Sequence, residues 1–391
     1  MSENRLIPLS EPEIAGNEWK YIKECLDSGW VSSVGAYVDK FEKMLASYTG
    51  TGYAVATVNG TSALHISLIA CGVKPDDEVI VPTLTFIAPA NAVRYCGAYP
   101  VFMDCDKDTL CIDVQKTSEF IKNECEQGKD GFTYNRKSGR KVKAIIPVHI
   151  FGHPADMDPL LEVSKKYNIH VIEDATESLG SEYKGKETGS FGRTGCFSFN
   201  GNKIITTGGG GMVVTNDKGL SERIRHLCTQ AKKDPFEYYH DEIGYNYRLT
   251  NIQAAMGVAQ MERLEEFVDR KRKNAVIYRE LISDIGGVEF LWEQGRAKSN
   301  FWFYTIRVQK EHKKGLMDFL LSNNIQVRPV WKLIHTLPMY KDSQAYEISR
   351  AFEIYESCIN LPCSVNITRE QIEYVVKGIM NYFEKVSNGR R

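Results

Sequence analysis

No apolar run in this chain approaches the roughly 20 residues needed to cross a bilayer. The opening MSENRLIPLSEPEI lacks the basic start and apolar core of a secretory signal. An excess of one charge is also missing: 49 basic residues stand against 50 acidic ones, a net of −1. That balance removes any general electrostatic case for nucleic acid or an anionic membrane as a partner. The ten cysteines (25, 71, 96, 105, 111, 125, 196, 228, 358, 363) form no Cys-x-x-Cys pair. Thiols scattered in this way argue for reduced, buried side chains and a cytoplasmic protein. Internal repeats and low-complexity tracts are absent. No G-x-G-x-x-G follows the first strand, which counts against a dinucleotide loop and an oxidoreductase.

What is present reads as an α/β protein. At 391 residues the chain exceeds one small core, so a large domain with a smaller one is expected. Ile14, Trp19, Ile22, Cys25 and Leu26 outline a first helix ending at Gly29, and Val38, Phe41, Leu45 and Tyr48 outline a second. Trp30, in the loop between them, reads as a core plug or a substrate wall, the plug being the preferred reading. Strands follow at YAVATV (53–58), EVIVP (78–82), YPVFMD (99–104), KAIIPV (143–148) and IHVIED (169–174), with helical segments between most of them. Such alternation predicts a mostly parallel sheet covered on both faces, with functional residues at the carboxyl ends of its strands. A basic insertion, 128–142, reads as a solvated hairpin, with a contact for an acidic partner as the alternative. A long helix begins near Asn251, with Ala254, Ala255, Gly257 and Ala259 small enough for close packing. The expected division is a large domain 1–250, a connecting helix 251–285 and a small α/β domain 286–391.

The chemistry centres on GCFSFNGNKIITTGGGGMVVTND (195–217), where Lys203 is the one charged residue before Asp217 and is followed five residues later by four glycines. A buried ammonium without a partner is disfavoured, and desolvated lysines serve as Schiff-base nucleophiles. A surface lysine on a glycine loop is the competing reading of those residues. Elsewhere, YAVATVNGTSALH places a strand, a tight turn and a helix start at Gly60, Thr61 and Ser62. Free amides and the helix dipole make such a turn an anion site, although a simple N-cap explains the same residues. Phe86 follows the strand at 78–82, where an aromatic ring can cover a flat ligand or merely fill core. Asp174 ends the strand IHVIED, and Glu177 follows. His149 and His153 have helical metal spacing, but Gly152 and Pro154 spoil the helix that spacing needs, so no metal is expected. A lysine imine former, a strand-end aspartate, an aromatic ring and an anion cup together match what pyridoxal phosphate requires.

NGTSALH, EVIVPTLTF, VIEDATES, CFSFNGNKIITTGGGGMVVTND, GYNYRLTNIQAA and VRPVWKLIH, in that order, resemble the DegT/StrS family of pyridoxal-phosphate-dependent nucleotide-sugar aminotransferases. The resemblance runs from about Ile7 to the last helices. It implies the type I aminotransferase fold, with a large, mostly parallel central sheet covered by helices and a smaller C-terminal α/β domain. It also implies a homodimer with shared active sites. Position by position, it implies that Lys203 is the cofactor-linking lysine and that Asp174 pairs with the pyridine nitrogen. Phe86 would lie over the ring, Gly60, Thr61, Ser62 and Ser198 would hold the phosphate, and Asn246 would reach it from the neighbouring subunit. Trp30, Arg248, Trp331 and His335 match regions that line the nucleotide-sugar site.

Two features depart from the family pattern. Glu177 stands where Gln or His commonly donates to the ring's phenolic oxygen, and an ionised carboxylate cannot donate. The NGNK and GGGG forms, with the 128–142 insertion, resemble the branch acting on UDP- or GDP-linked 4-keto-6-deoxy sugars of the legionaminic acid or bacillosamine type. The expected activity is transfer of an amino group from glutamate to carbon 4 of such a sugar, UDP-2-acetamido-2,6-dideoxy-hexos-4-ulose in the first reading. A GDP-linked sugar of perosamine type and a non-catalytic regulatory protein on the same fold are the alternatives.

Overall fold

The computed structural model describes residues 6–234 and 236–388. Residues 1–5, part of the opening segment read above for a signal, lie outside the described residues. Seven strands build the main sheet: β1 (Tyr53–Thr57), β2 (Glu78–Pro82), β3 (Tyr99–Met103), β4 (Val142–Ile145), β5 (His170–Asp174), β6 (Thr194–Ser198) and β7 (Gly211–Thr215). Their order is β1-β7-β6-β5-β4-β2-β3, and a two-residue strand, Ala345–Tyr346, extends the β3 edge. All neighbours are parallel except β7, which runs antiparallel to both β6 and β1. No crossover helix separates β6 from β7. The chain doubles back, Phe199 N donating to Gly210 O, so β7 returns beside β6 in reverse.

Every residue of β2 is buried, and its apolar run 79–82 suits a central strand covered on both faces. Val79 and Val81 pack with Leu64, Ile66 and Leu68 of the helix Gly60–Ala70, while Ile80 joins Phe120 and Leu160 on the opposite face. Val55 and Val213 take the first of these cores, whereas Ala54, Met212 and Val214 meet Phe41, Phe197 and Phe267 in a third. The period-2 alternation of strand side chains thus divides the interior.

The long helix expected from Asn251 is two helices, Asn251–Met261 and Leu264–Ile282, meeting at Glu262 and Arg263. Its small residues are used within the chain: a Cβ on Gly257 would lie 2.7 Å from the Phe41 ring. The C-terminal strands Val288–Phe290, Tyr304–Val308, Cys358–Leu361 and Arg328–Pro329 form an antiparallel sheet. The N-terminal arm runs beside this region, with Ile7 N donating to Asn324 O (2.8 Å) and Cys363 N to Leu9 O (2.7 Å). The basic insertion forms a hairpin between Cys125–Gln127 and Thr133–Asn135. It is not wholly solvated, because Asn135 is buried and donates to Glu78 Oε2 and Gln344 Oε1, both at 2.7 Å. All ten cysteines are buried and unpaired. Among the described residues no helix is long and apolar enough to cross a membrane.

Trp30, read above as a core plug, is 59% exposed. Its loop is held by backbone rather than by the indole: Asn251 Nδ2 donates to Trp30 O (2.7 Å), and Asn251 N donates to Ser32 O (2.6 Å).

One buried charge fastens the C-terminal chain to the main sheet. Asp104, just beyond β3, accepts from Lys116 Nζ (2.7 Å), Ser349 N and Arg350 N (3.0 Å each), Ala351 N (2.8 Å) and Cys105 N (2.9 Å). Burial alone would raise this carboxyl, but Lys116 and the amides outweigh it and hold it below the ordinary aspartate range. A depressed carboxyl stabilises the fold above its unfolded-state pKa, and that contribution disappears as pH falls through its folded value. Replacing Asp104 with alanine should cost about 3 kcal/mol near neutrality, from the loss of a buried ion-pair partner. Urea titrations should show the variant and the parent converging in acid.

Candidate active site

The carboxyl ends of β2 and β5, the loop after β6 and the start of the helix Gly60–Ala70 converge on a cavity of about 480 Å³. Gly60, Thr61, Phe86, Asp174, Glu177, Ser198, Lys203 and Trp331 all line it. Sequence positions spread over more than 270 residues are therefore brought to one place by the parallel strands.

At one end, Asn59 caps the helix, its Oδ1 accepting from Ser62 N at 2.8 Å. The amides of Gly60 and Thr61 stand in the first turn, where no intrahelical carbonyl can meet them, so they are available to an anion. A Cβ on Gly60 would lie 2.8 Å from Ser198 Cβ and 3.1 Å from Thr176 Cγ2, so the cradle has room only for glycine there. The last glycine of the run after Lys203 serves this same turn. A Cβ on Gly211 would sit 2.4 Å from the Asn59 carbonyl carbon and 2.7 Å from Gly60 N, so the close approach is to the cup and not to the lysine. Ser62 lies outside the cavity: its amide is taken by Asn59, and its side chain meets the Tyr247 phenol.

At the other end Asp174 is 3% exposed, with Oδ1 accepting from Thr176 N at 3.1 Å. Burial pushes its carboxyl up, while Thr176, Lys203 and His149 pull it back less strongly. A carboxylate left short of compensation at a cavity wall suits a cationic ring nitrogen, whose charge would supply what burial removes. Phe86 is 53% exposed and its ring faces the edge of Trp331, 6.1 Å between centroids, which fits a ring waiting to cover a planar ligand. The residues therefore fit pyridoxal phosphate, with an anion cup, a cation partner and an aromatic cover around one lysine.

Lys203 lies in a turn, its amide donating to Asn200 O, and its side chain is 13% exposed. Its Nζ is 3.9 Å from Glu177 Oε1 and 3.8 Å from the centre of the Trp302 ring. Burial lowers its pKa, with Glu177 and then Asp174 opposing. Trp302 Nε1 also donates to Asn202 O at 2.6 Å, so this indole holds the lysine's turn as well as its ammonium. The glycine loop is fastened from the helix Asn251–Met261, where Gln253 Nε2 donates to Gly209 O and Gln260 Oε1 accepts from Thr206 N.

Other expected site residues lie outside this cavity. Asn246 is exposed, its backbone bridged to Thr229. Arg248 faces the buried Glu42 carboxylate at 3.9 Å, a group already held by Arg225 at 2.8 Å. His335 Nδ1 is 2.6 Å from Thr83 Oγ1. His149 and His153 have other tasks: His149 links Glu173 (3.0 Å) to the Ala155 amide, and His153 contacts Pro154 O and Gln294 N. Sequence reading missed Asn59, Thr176, Trp302 and Arg328 on the cavity wall. Asn59 and Thr176 stand beside residues that were singled out and carried the only available signal.

Known proteins resemble this chain along nearly its whole length. The family model described as the DegT/DnrJ/EryC1/StrS aminotransferase family matches residues 12–380. The GDP-perosamine synthase of Escherichia coli O157:H7 is 42% identical over 381 residues, covering 97% of this chain and 99% of that protein. A putative pyridoxal phosphate-dependent aminotransferase, EpsN, of Bacillus subtilis (strain 168) is 37% identical, covering 98% of this chain and 97% of that one. The putative sugar aminotransferase Spr1654 from Streptococcus pneumoniae, solved in its PLP form, superposes with a TM-score of 0.88 at 26% identity, covering 98% of this chain and 100% of that chain.

Proposed function

The chain belongs to the DegT/DnrJ/EryC1/StrS aminotransferase family, and on that premise we propose that it aminates carbon 4 of a GDP-linked 4-keto-6-deoxy sugar, with glutamate as donor. It is a pyridoxal-phosphate-dependent sugar aminotransferase of the type I fold. The observation that carries the sugar reading is the 42% identity to a GDP-perosamine synthase along 97% of the chain. This favours the perosamine-type alternative over the UDP-acetamido, legionaminic acid or bacillosamine reading. The insertion that suggested the latter also offers little contact with substrate. Its buried Asn135 bonds Glu78 at the amino end of β2, away from the cavity at the strands' carboxyl ends.

In this reading each residue has a task. Gly60, Thr61 and Ser198 bind the phosphate group through amides and a hydroxyl, Asp174 holds a proton on the ring nitrogen, and Phe86 excludes water from one ring face. Bound there, the cofactor supplies an electron sink and stores the amino group between donor and sugar. Lys203 takes the proton from the donor's α-carbon and later delivers one to carbon 4 of the sugar, so one base serves both half-reactions. The exposed Asn246, with exposed Trp30, supports a shared site in which Asn246 of the partner subunit completes the phosphate cup.

A panel of UDP- and GDP-linked 4-keto-6-deoxy sugars assayed with glutamate tests the substrate. The GDP sugar should show kcat/KM at least about tenfold above the UDP-acetamido sugar, about 1.4 kcal/mol of discrimination. Equal or reversed preference would discard the GDP assignment.

A further inference from the structure

We propose that Glu177 is a further catalytic residue, holding with Lys203 a single proton that the two exchange while the lysine works. The inference rests on Lys203 being the reactive lysine.

The geometry isolates this pair. Glu177 is 3% exposed and lines the same cavity as Lys203, with Oε1 3.9 Å from Nζ. Its other oxygen is fixed, because Phe151 N donates to Oε2 at 2.7 Å. That amide is aimed at some cost. Phe151 adopts φ 56 and ψ 17, a left-handed conformation rare for a bulky residue, and its ring is held 4.9 Å from that of Trp331. The segment is fixed as well, since Asn300 Nδ2 donates to the Glu177 carbonyl at 3.0 Å. Oε1 is thus the oxygen left for the lysine.

The charges around the pair support a shared proton. Asp174 and the buried Cys111 thiol face Glu177, and Asp174 also faces Lys203; His149 acts on Asp174 but is already occupied by Glu173 and Ala155 N. Burial pushes Glu177 up to about 8 and lowers Lys203, so each is driven toward its neutral form. A carboxylic acid beside an amine and a carboxylate beside an ammonium contain the same one proton and the same net charge. Once the pair closes from 3.9 Å to hydrogen-bond distance, passing that proton across breaks one N–H bond as one O–H bond forms and leaves the net charge of the pair unchanged. Glu177 then keeps the proton close while the amine acts and returns it afterwards. An ionised carboxylate could not donate from this position, and the shared proton removes that conflict with the pattern of the family.

Trace labelling with acetic anhydride over a range of pH, read by peptide mass spectrometry on the full chain freed of cofactor, reports the amine fraction of each lysine. Lys314, 91% exposed, serves as internal reference. A coupled pair titrates as a unit, so Lys203 reactivity in the parent should vary less than about threefold from roughly pH 6.5 to 8.5. Glu177→Gln keeps the shape but not the proton, and its Lys203 should lose about tenfold reactivity per pH unit below a single midpoint. A one-proton slope in the parent, or the same curve for both proteins, overturns the proposal. Should the variant not fold, Glu177→Ala takes its place in the comparison with the parent. Failure of the aminotransferase reading would appear separately, as a cofactor band that borohydride does not fix to Lys203.

Discussion

Lys203→Ala should lose the visible band that borohydride bleaches and lower kcat by about ten-thousand-fold or more, since one residue supplies both the covalent anchor and the base. Among the described residues no other lysine lines the cavity. Lys271 is also buried, but its Nζ is taken by the carbonyls of Trp302 and Cys363. Retention of sugar amination by the alanine variant would sink the assignment. Stability separates chemistry from folding here. Burial without a full counter-charge disfavours the ammonium, so the variant should melt no lower than the cofactor-free parent.

Asp174→Asn should be the next most damaging change, lowering kcat by about a thousand-fold, roughly 4 kcal/mol in the barrier. The amide has the size of the carboxylate and can still accept from Thr176 N, so what it removes is charge. The sign of its effect on folding differs from that at Asp104. A carboxyl raised in the folded state costs stability above its unfolded pKa, so neutralising Asp174 should leave the cofactor-free protein as stable or more so near pH 7. Kinetics and thermal melts on the same preparations check both halves. A variant that keeps its activity but melts lower would make Asp174 structural.

The places of the cavity-lining residues were legible where one residue type at one place in a pattern suggests a role. EVIVP reads as a buried strand, and the strand ends then point to Phe86 and Asp174, which both line the cavity. Contacts between distant segments were not readable in this way. Trp302 sits in the apolar run FWFYTIRV, yet strand pairing begins only at Tyr304, and the Trp302 ring lies beside the Lys203 ammonium. The break at Glu262 and Arg263 carries no proline or glycine to announce it. Trp30 looked like core because tryptophan has so much apolar surface, and only the bonds from Asn251 reveal that the loop needs no indole to hold it.

The N-terminal arm bears on how the protein is made. Leu9 lines the cavity, yet its anchors are Gln326 and Cys363, more than 300 residues away. Closing contacts of that separation is slow and comes late in folding. On a ribosome the wall contributed by Leu9 lacks its first anchor until Gln326 has emerged and its second until Cys363 has. A nascent chain can therefore complete its main sheet, lysine loop included, while its catalytic pocket still stands open on one side.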